Sequence, residues 1–248
     1  LVPEMRTVRT ALLAAPALLC GMAAPEMDLL LVLAADVSPS MDEDDRALQR
    51  EGLAAAVSDP AVVAAACGGP RGAIGIAYAE WSGQLHQEQV LPWRRIASAR
   101  DAAAWAAALR AVEPGLSPGG TSIVDALDFA RWLLGSAQWP AARRVVDLSG
   151  DGPDNNELGL SVEAARDRAV AEGIIVNALA VEGDAEALAV LGPDATLAAY
   201  FAQRVAGGPG AFVAQAEGVA DFARAIRRKL VREIAWRPDQ YPPALAHG

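Results

Sequence analysis

The run Met27-Asp28-Leu29-Leu30-Leu31-Val32-Leu33-Ala34-Ala35 constrains this chain more than any other stretch. It is too short to cross a membrane and has no helical period. It therefore predicts a strand buried on both faces, as in the middle of a parallel sheet. Directly after it come Asp36-Val37-Ser38-Pro39-Ser40, a carboxylate and two hydroxyls at alternate positions. Asp42-Glu43-Asp44-Asp45 then supplies acids that suit the first turn of a helix. In open α/β sheets, ligands sit outside the carboxyl ends of the strands. A D-x-S-x-S loop in that place offers only hard oxygens, which suit Mg²⁺, Mn²⁺ or Ca²⁺ rather than zinc or copper.

The rest of the chain alternates in the same way. A helix is expected over 42–57, with Leu48, Leu53 and Val57 among its apolar positions, and Gly68-Gly69-Pro70 breaks the chain. A second strand, 73–79, ends in Glu80-Trp81-Ser82, and the alternating stretch 86–93 reads as an antiparallel edge strand. Helices follow from Ser98 to about Val112 and from Thr121-Ser122 through Leu134, with a Pro- and Gly-rich loop, 114–120, between them. The expected strands 144–149, 174–181 and 211–213 alternate with helices 161–172, 194–205 and 219–234. Such alternation specifies an α/β fold: a doubly wound, mostly parallel central sheet with one antiparallel edge strand and helices on both faces. One domain, 25–235, accommodates it, and 236–248 reads as a loosely held tail.

Residues 1–24 look like an export signal. Met5-Arg6-Thr7-Val8-Arg9 is basic, 11–19 is apolar, and Gly21-Met22-Ala23-Ala24 is small. The competing reading is an ordinary apolar helix. A lipid anchor at Cys20 fits less well, because Ala17-Leu18-Leu19 lacks the small residues that normally precede it. The expected location is periplasmic or secreted. Removal of the signal leaves Cys67 alone, so no internal disulfide is expected, and Cys67 reads as a small buried hydrophobe. No transmembrane helix is expected in the body. A formal charge of −10 argues against nucleic acid or an anionic membrane as the main partner.

Asp36, Ser38 and Ser40 share one expected sheet edge with Thr121 and Asp151: two carboxylates and three hydroxyls. Glycines 119, 120, 150 and 152 permit close backbone approach there. D-x-S-x-S, then a threonine after paired glycines opening a helix, then an aspartate after a strand, resembles the von Willebrand factor type A domain. The resemblance spans roughly 27–235 and extends to an exported bacterial branch known only as a domain of unknown function. It rests there on Ser149-Gly150-Asp151-Gly152 with Asn155-Asn156, and on Gly207-Gly208-Pro209-Gly210-Ala211-Phe212. It implies a Rossmann-like fold and a metal-ion-dependent adhesion site (MIDAS) made of Asp36, Ser38, Ser40, Thr121 and Asp151. It further implies a divalent cation, most simply Mg²⁺, whose open position takes an Asp or Glu from a protein partner.

Plainer roles compete for each residue. Asp36 and Ser38 could cap the helix beginning near Asp42, and Asp151 could cap a turn. Glu80 could line the same rim. Asp125 suits a helix dipole, Asp147 a buried hydrogen bond to backbone, and Asp154 either the site or a turn. A Mg²⁺-dependent hydrolase or phosphotransferase of doubly wound fold is one alternative function. It would want an acid where Ser38 stands, and a lysine, of which the chain has only Lys229. The only histidines are His86 and His247, and neither G-x-S-x-G nor a dinucleotide-binding glycine motif occurs. A periplasmic scaffold with a structural or vestigial metal site is the other alternative.

Overall fold

Strand β1, Leu29–Asp36, is buried along its whole length. Its odd residues, Leu29 to Ala35, join one apolar cluster, and Leu30, Val32 and Ala34 join another. Each face of the strand needs its own cover, so the sheet has helices on both sides. The structure is a computed structural model and describes residues 24–113, 119–155, 159, 161–183, 189–192 and 195–235. The proposed signal, Cys20, the C-terminal tail and His247 lie outside the described residues.

After β1 come α1 (Glu43–Ser58), α2 (Pro60–Cys67), β2 (Ile74–Trp81), β3 (Gln87–Ile96), α3 (Ala99–Arg110) and α4 (Ile123–Gly135). Then follow β4 (Arg144–Gly150), α5 (Val162–Ala171), β5 (Ile174–Val181), α6 (Leu197–Arg204), β6 (Val213–Ala216) and α7 (Phe222–Ala235). The strand order is β3-β2-β1-β4-β5-β6, and only the β2–β3 pairing is antiparallel. Helices α1, α2, α3 and α7 cover one face, and α4, α5 and α6 the other. The chain leaves β1 toward β2 on one side and returns beside it as β4 on the other. The carboxyl ends of β1 and β4 therefore flank the topological switch point.

Local chemistry sets the helix starts. Asp42, Ser98, Ser122, Ser161 and Thr196 each cap a helix by accepting from a backbone N–H three residues on. Helix α2 was not expected from the sequence, although Asp59 capping Ala61 N–H with Pro60 in the first turn is a complete start signal. Leu48 is 53 % exposed rather than inward, because five residues put it roughly 140° around the helix from buried Leu53. Cys67 is half-buried, not fully buried. The last strand falls at Val213–Ala216 rather than 211–213. The Phe212 N–H is already taken by Asn177 Oδ1, and the glycines before it at 208 and 210 have positive φ. A 3₁₀ turn, Val219–Asp221, precedes α7 and delays its start.

Helix α7 is fastened to the middle of the sheet by buried charge. Lys229 Nζ lies 2.6 Å from Asp147 Oδ2 on β4 and 3.4 Å from the Glu233 carboxylate. Asn177, the register partner of Asp147, donates to Glu233. Asp147 is thus structural, as expected, but its partner is a lysine side chain rather than backbone. Burial above all pushes the Glu233 carboxyl up to about 8. Removing one member of a buried ion pair strands the other. Lys229→Met is therefore expected to lower the unfolding free energy by about 3–5 kcal/mol in urea denaturation, and an unchanged midpoint would contradict this account of α7.

Candidate functional site

Asp36 is the last residue of β1 and belongs to the even set, so its side chain emerges on the α4 face. The chain is fixed immediately beyond it. Val37 N–H donates to Trp81 O at 2.9 Å, Met41 N–H to Ser38 O at 3.0 Å, and Gln49 of α1 to Asp36 O at 2.8 Å. Asp36 Oδ1 accepts from the Ser38 N–H at 2.7 Å. Asp36 therefore holds its own loop, and the capping of α1 falls to Asp42.

Four of the five expected ligands form one hydrogen-bonded chain. Ser38 Oγ and Ser40 Oγ are 3.0 Å apart, and Ser40 Oγ donates to Asp151 Oδ1 at 3.0 Å. Asp151 follows β4 directly, and Gly150 lets the two strand ends approach. A Cβ on Gly150 would stand 3.1 Å from Asp36 Oδ2 and 3.4 Å from both Trp81 and Phe201.

Thr121, the fifth expected ligand, makes no hydrogen bond to this hydrogen-bonded chain among the described residues and is held instead by Asn155, four residues beyond Asp151. Asn155 Oδ1 accepts from the Thr121 N–H at 2.7 Å, and the Asn155 N–H donates to Thr121 O at 2.9 Å. Asp154 Oδ1 accepts from Ile123 N–H at 2.7 Å and so caps α4 from a different loop. Ser122 and Asp125 complete the helix start as a reciprocal cap. Asp154 and Asn155 are thus the residues that position Thr121. In the sequence they read equally well as a turn, with nothing to mark the helix they serve.

Glu80 is not part of this group. It is bound by Arg50 through two hydrogen bonds, 2.6 and 2.8 Å, and accepts from Tyr78 OH at 2.7 Å. That buried pairing fastens β2 to α1. Trp81 is buried packing beneath the site.

Asp36 is a buried carboxylate set beside a second one. Asp36 is fully buried, and its Oδ2 has no hydrogen-bond partner among the described residues. Burial, and after it the negative charge of Asp151, push its carboxyl up to about 8 from an ordinary 3.8. An orphaned buried carboxylate oxygen, with hydroxyls and a second carboxylate beside it, fits a hard divalent cation. Among the described residues no group of three or more His, Cys, Asp or Glu could hold a metal ion, so any such site depends on hydroxyls.

The family model described as protein of unknown function DUF1194 matches residues 26–238. The chain belongs to that family. Its structure is similar to those of von Willebrand factor A domains, and this fold is the one the DUF1194 chain adopts. The mussel byssus proximal thread matrix protein 1, in a structure with a zinc-occupied MIDAS motif, is 16% identical over 86% of this chain and 47% of its own, with a TM-score of 0.54. A von Willebrand factor type A structure from Catenulispora acidiphila is 17% identical over 84% of this chain and 43% of its own (TM-score 0.53). The pilus adhesin SpaC of Lactobacillus rhamnosus GG is 14% identical over 84% of this chain and 30% of its own (TM-score 0.58). The chain thus spans less than half the length of these structures. No curated protein matches it.

The raised Asp36 carboxyl has a consequence without any cation. Unfolded, the group ionises near 3.8, and folded near about 8. Between these values the folded state holds a proton that the unfolded state has released, so stability declines as pH rises. In EDTA, Asp36→Asn is expected to remove this decline and to raise the unfolding free energy at neutral pH by on the order of 2 kcal/mol. Urea titrations of both proteins at about pH 5 and about pH 8 check it, and parallel pH dependence in the two would refute it.

Proposed function

We propose that this DUF1194 chain is an exported interaction module that uses a divalent cation to bind a protein partner. Asp36, Ser38, Ser40, Thr121 and Asp151 hold the ion, Mg²⁺ by preference, and a partner's Asp or Glu fills its open position. The observation that carries the reading is the hydrogen-bonded chain from Ser38 through Ser40 to Asp151 beside the orphaned Asp36 oxygen. A site with two carboxylates leaves a divalent ion with little excess negative charge around it, so the ion stays attractive to a further carboxylate. The zinc-occupied MIDAS of the byssus protein and the adhesin among the similar folds support binding rather than catalysis. The residues a doubly wound phosphotransferase would use argue the same way. Lys229 is fully buried in an ion pair on the opposite face of the sheet, and Ser38 stands where a second acid would act.

Thermal unfolding in EDTA, Mg²⁺, Mn²⁺ and Ca²⁺, beside Asp36→Asn, tests the ion. At about 100 times its dissociation constant the ion stabilises by about 2.7 kcal/mol, a rise in Tm of roughly 5–10 °C. The expected result is a rise in wild type that the variant lacks, and an equal response in both would remove Asp36 from the site. Export rests on the basic, apolar and small segments of residues 5–24, and no helix among the described residues is long and apolar enough to cross a membrane. Protein recovered from the periplasm is expected to lack residues up to about Ala23. An intact mass that includes them would overturn export by this signal.

A further inference from the structure

Helix α3 turns a stripe at i, i+3, i+4 and i+7 toward the edge strand β3: Asp101, Ala104, Trp105 and Ala108. Such a stripe ordinarily packs on the sheet without gaps. Here Trp105 does so, at 2 % exposure and edge-on against Tyr78 of β2. Ala104 and Ala108 stay exposed, with too little side chain to fill the space before them. The register of β3 on β2 sets the opposite wall. Leu91, Arg94 and Ile96 pair with Tyr78, Ile76 and Ile74, so all three belong to the face that α3 covers. Arg94 thus stands between two core positions, where the pattern calls for an apolar residue.

The result is a cleft of about 300 Å³ between α3 and β3, lined by Leu91, Arg94, Arg95, Trp105 and the stripe residues Asp101, Ala104 and Ala108. It lies toward the amino end of β2, where Arg94 and Arg95 pair with Ile76 and Gly75, whereas Asp36 pairs with Trp81 at the carboxyl end. The cleft is therefore separate from the cation group. The Arg94 and Arg95 side chains make no hydrogen bond or ion pair among the described residues. Acids outnumber bases in this chain, and Arg71, Arg110, Arg168 and Arg227 each hold one. Asp101 is already engaged, because it accepts from the Ser98 hydroxyl and the Ala97 N–H, which together hold its carboxyl below the usual range. Buried Trp105 lines the cleft with no acceptor for its indole N–H among the described residues, although a buried indole ordinarily has one. Three unpaired donors thus surround an apolar floor.

We infer that this cleft binds a small free monocarboxylate with a flat apolar body. Arg94, with Arg95 beside it, takes the carboxylate, since a guanidinium matches a carboxylate through two parallel bonds. The body lies against Trp105, Leu91 and the two alanines, where it leaves water. Size and charge narrow the ligand further. The cleft has the liquid volume of roughly ten waters, which suits a molecule of roughly ten to twelve heavy atoms. Ionised Asp101 in the same lining repels a second negative charge, so a dianion is disfavoured.

The test titrates the ¹⁵N-labelled full chain in EDTA, so that the cation site takes no part, with three probes. These are 3-phenylpropionate, 3-phenylpropionamide, which keeps the shape without the charge, and propionate, which keeps the charge without the ring. The expected result is that 3-phenylpropionate moves the Trp105 indole and the Ala104 and Ala108 amide resonances, and that the other two bind about 10-fold more weakly. Arg94→Gln should lower the affinity for the acid to that for the amide and leave the amide unchanged. Ala104→Leu, at an exposed helix position that accepts leucine, should fill the cleft and abolish binding of both ring probes while Tm stays within about 2 °C of wild type. Equal affinity for acid and amide overturns the inference, as does undiminished binding in Ala104→Leu. So does an absence of movement in these resonances up to about 10 mM 3-phenylpropionate.

Discussion

Everything in this fold follows from a central strand with no exposed face. The eight residues of β1 are buried, and alternate side chains enter two separate apolar clusters. A sheet built around such a strand must be covered on both sides, and short right-handed connections then place helices on each face in turn. The reversal of winding direction beside β1 opens a crevice at the carboxyl ends of β1 and β4. A polar residue that ends β1 must emerge there, because the next position on that face lies past the last apolar side chain. The position of Asp36 is thus a consequence of the burial of Leu30, Val32 and Ala34.

Holding the crevice in shape is a separate task, done by polar groups from distant parts of the chain. Asp154 and Asn155 reach back 31 and 34 residues to the N–H groups of Ile123 and Thr121. The helix start of α4 is therefore satisfied partly by the loop after β4. The two loops that carry Thr121 and Asp151 cannot move independently without leaving orphaned donors at a helix terminus. On the other side, Gln49 of α1 donates to the Asp36 carbonyl, and Arg50 to the Glu80 carboxylate. Two adjacent residues of one helix turn tie the ends of β1 and β2 together.

The sheet and its helices were legible because burial periodicity and cap residues are local signals. Strand β5, Ile174–Val181, could be read to the residue, and β1 to within two. The places of the five candidate ligands in the fold were legible for the same reason, since each follows a strand or opens a helix; their role as ligands is the proposal, not a reading the fold decides. What was hidden depends on pairings across the chain. Arg50 with Glu80, and Lys229 with Asp147, look like unrelated charges in a sequence, and only the register of β4 beside α7 unites the second pair. Leu48 and Cys67 show a related limit. Apolar character in a helix does not state which way the residue faces when the stripe is broad and alanine-rich, as it is in α1 and α2.

The buried acids of the molecule fall into two kinds, and the difference bears on function more than any single distance. Glu80 has Arg50, while Asp147 and Glu233 share Lys229, so each lies beside a cation carried by the chain. A close partner offsets part of the desolvation cost of each buried charge. Asp36 is buried as deeply, yet the charge that acts on it is that of another carboxylate, Asp151, which raises its pKa further. Glu233 also faces a like charge, that of Asp147, but a lysine stands beside both, whereas Asp36 and Asp151 have none named beside them. The arrangement opposes folding on its own; on the proposed reading it becomes favourable when a positive ion enters from solution, because the same two charges that repel each other would then attract the ion. On that reading the cost to the ion-free protein and the affinity for the ion have one physical origin, and relieving the first by substitution would also weaken the second.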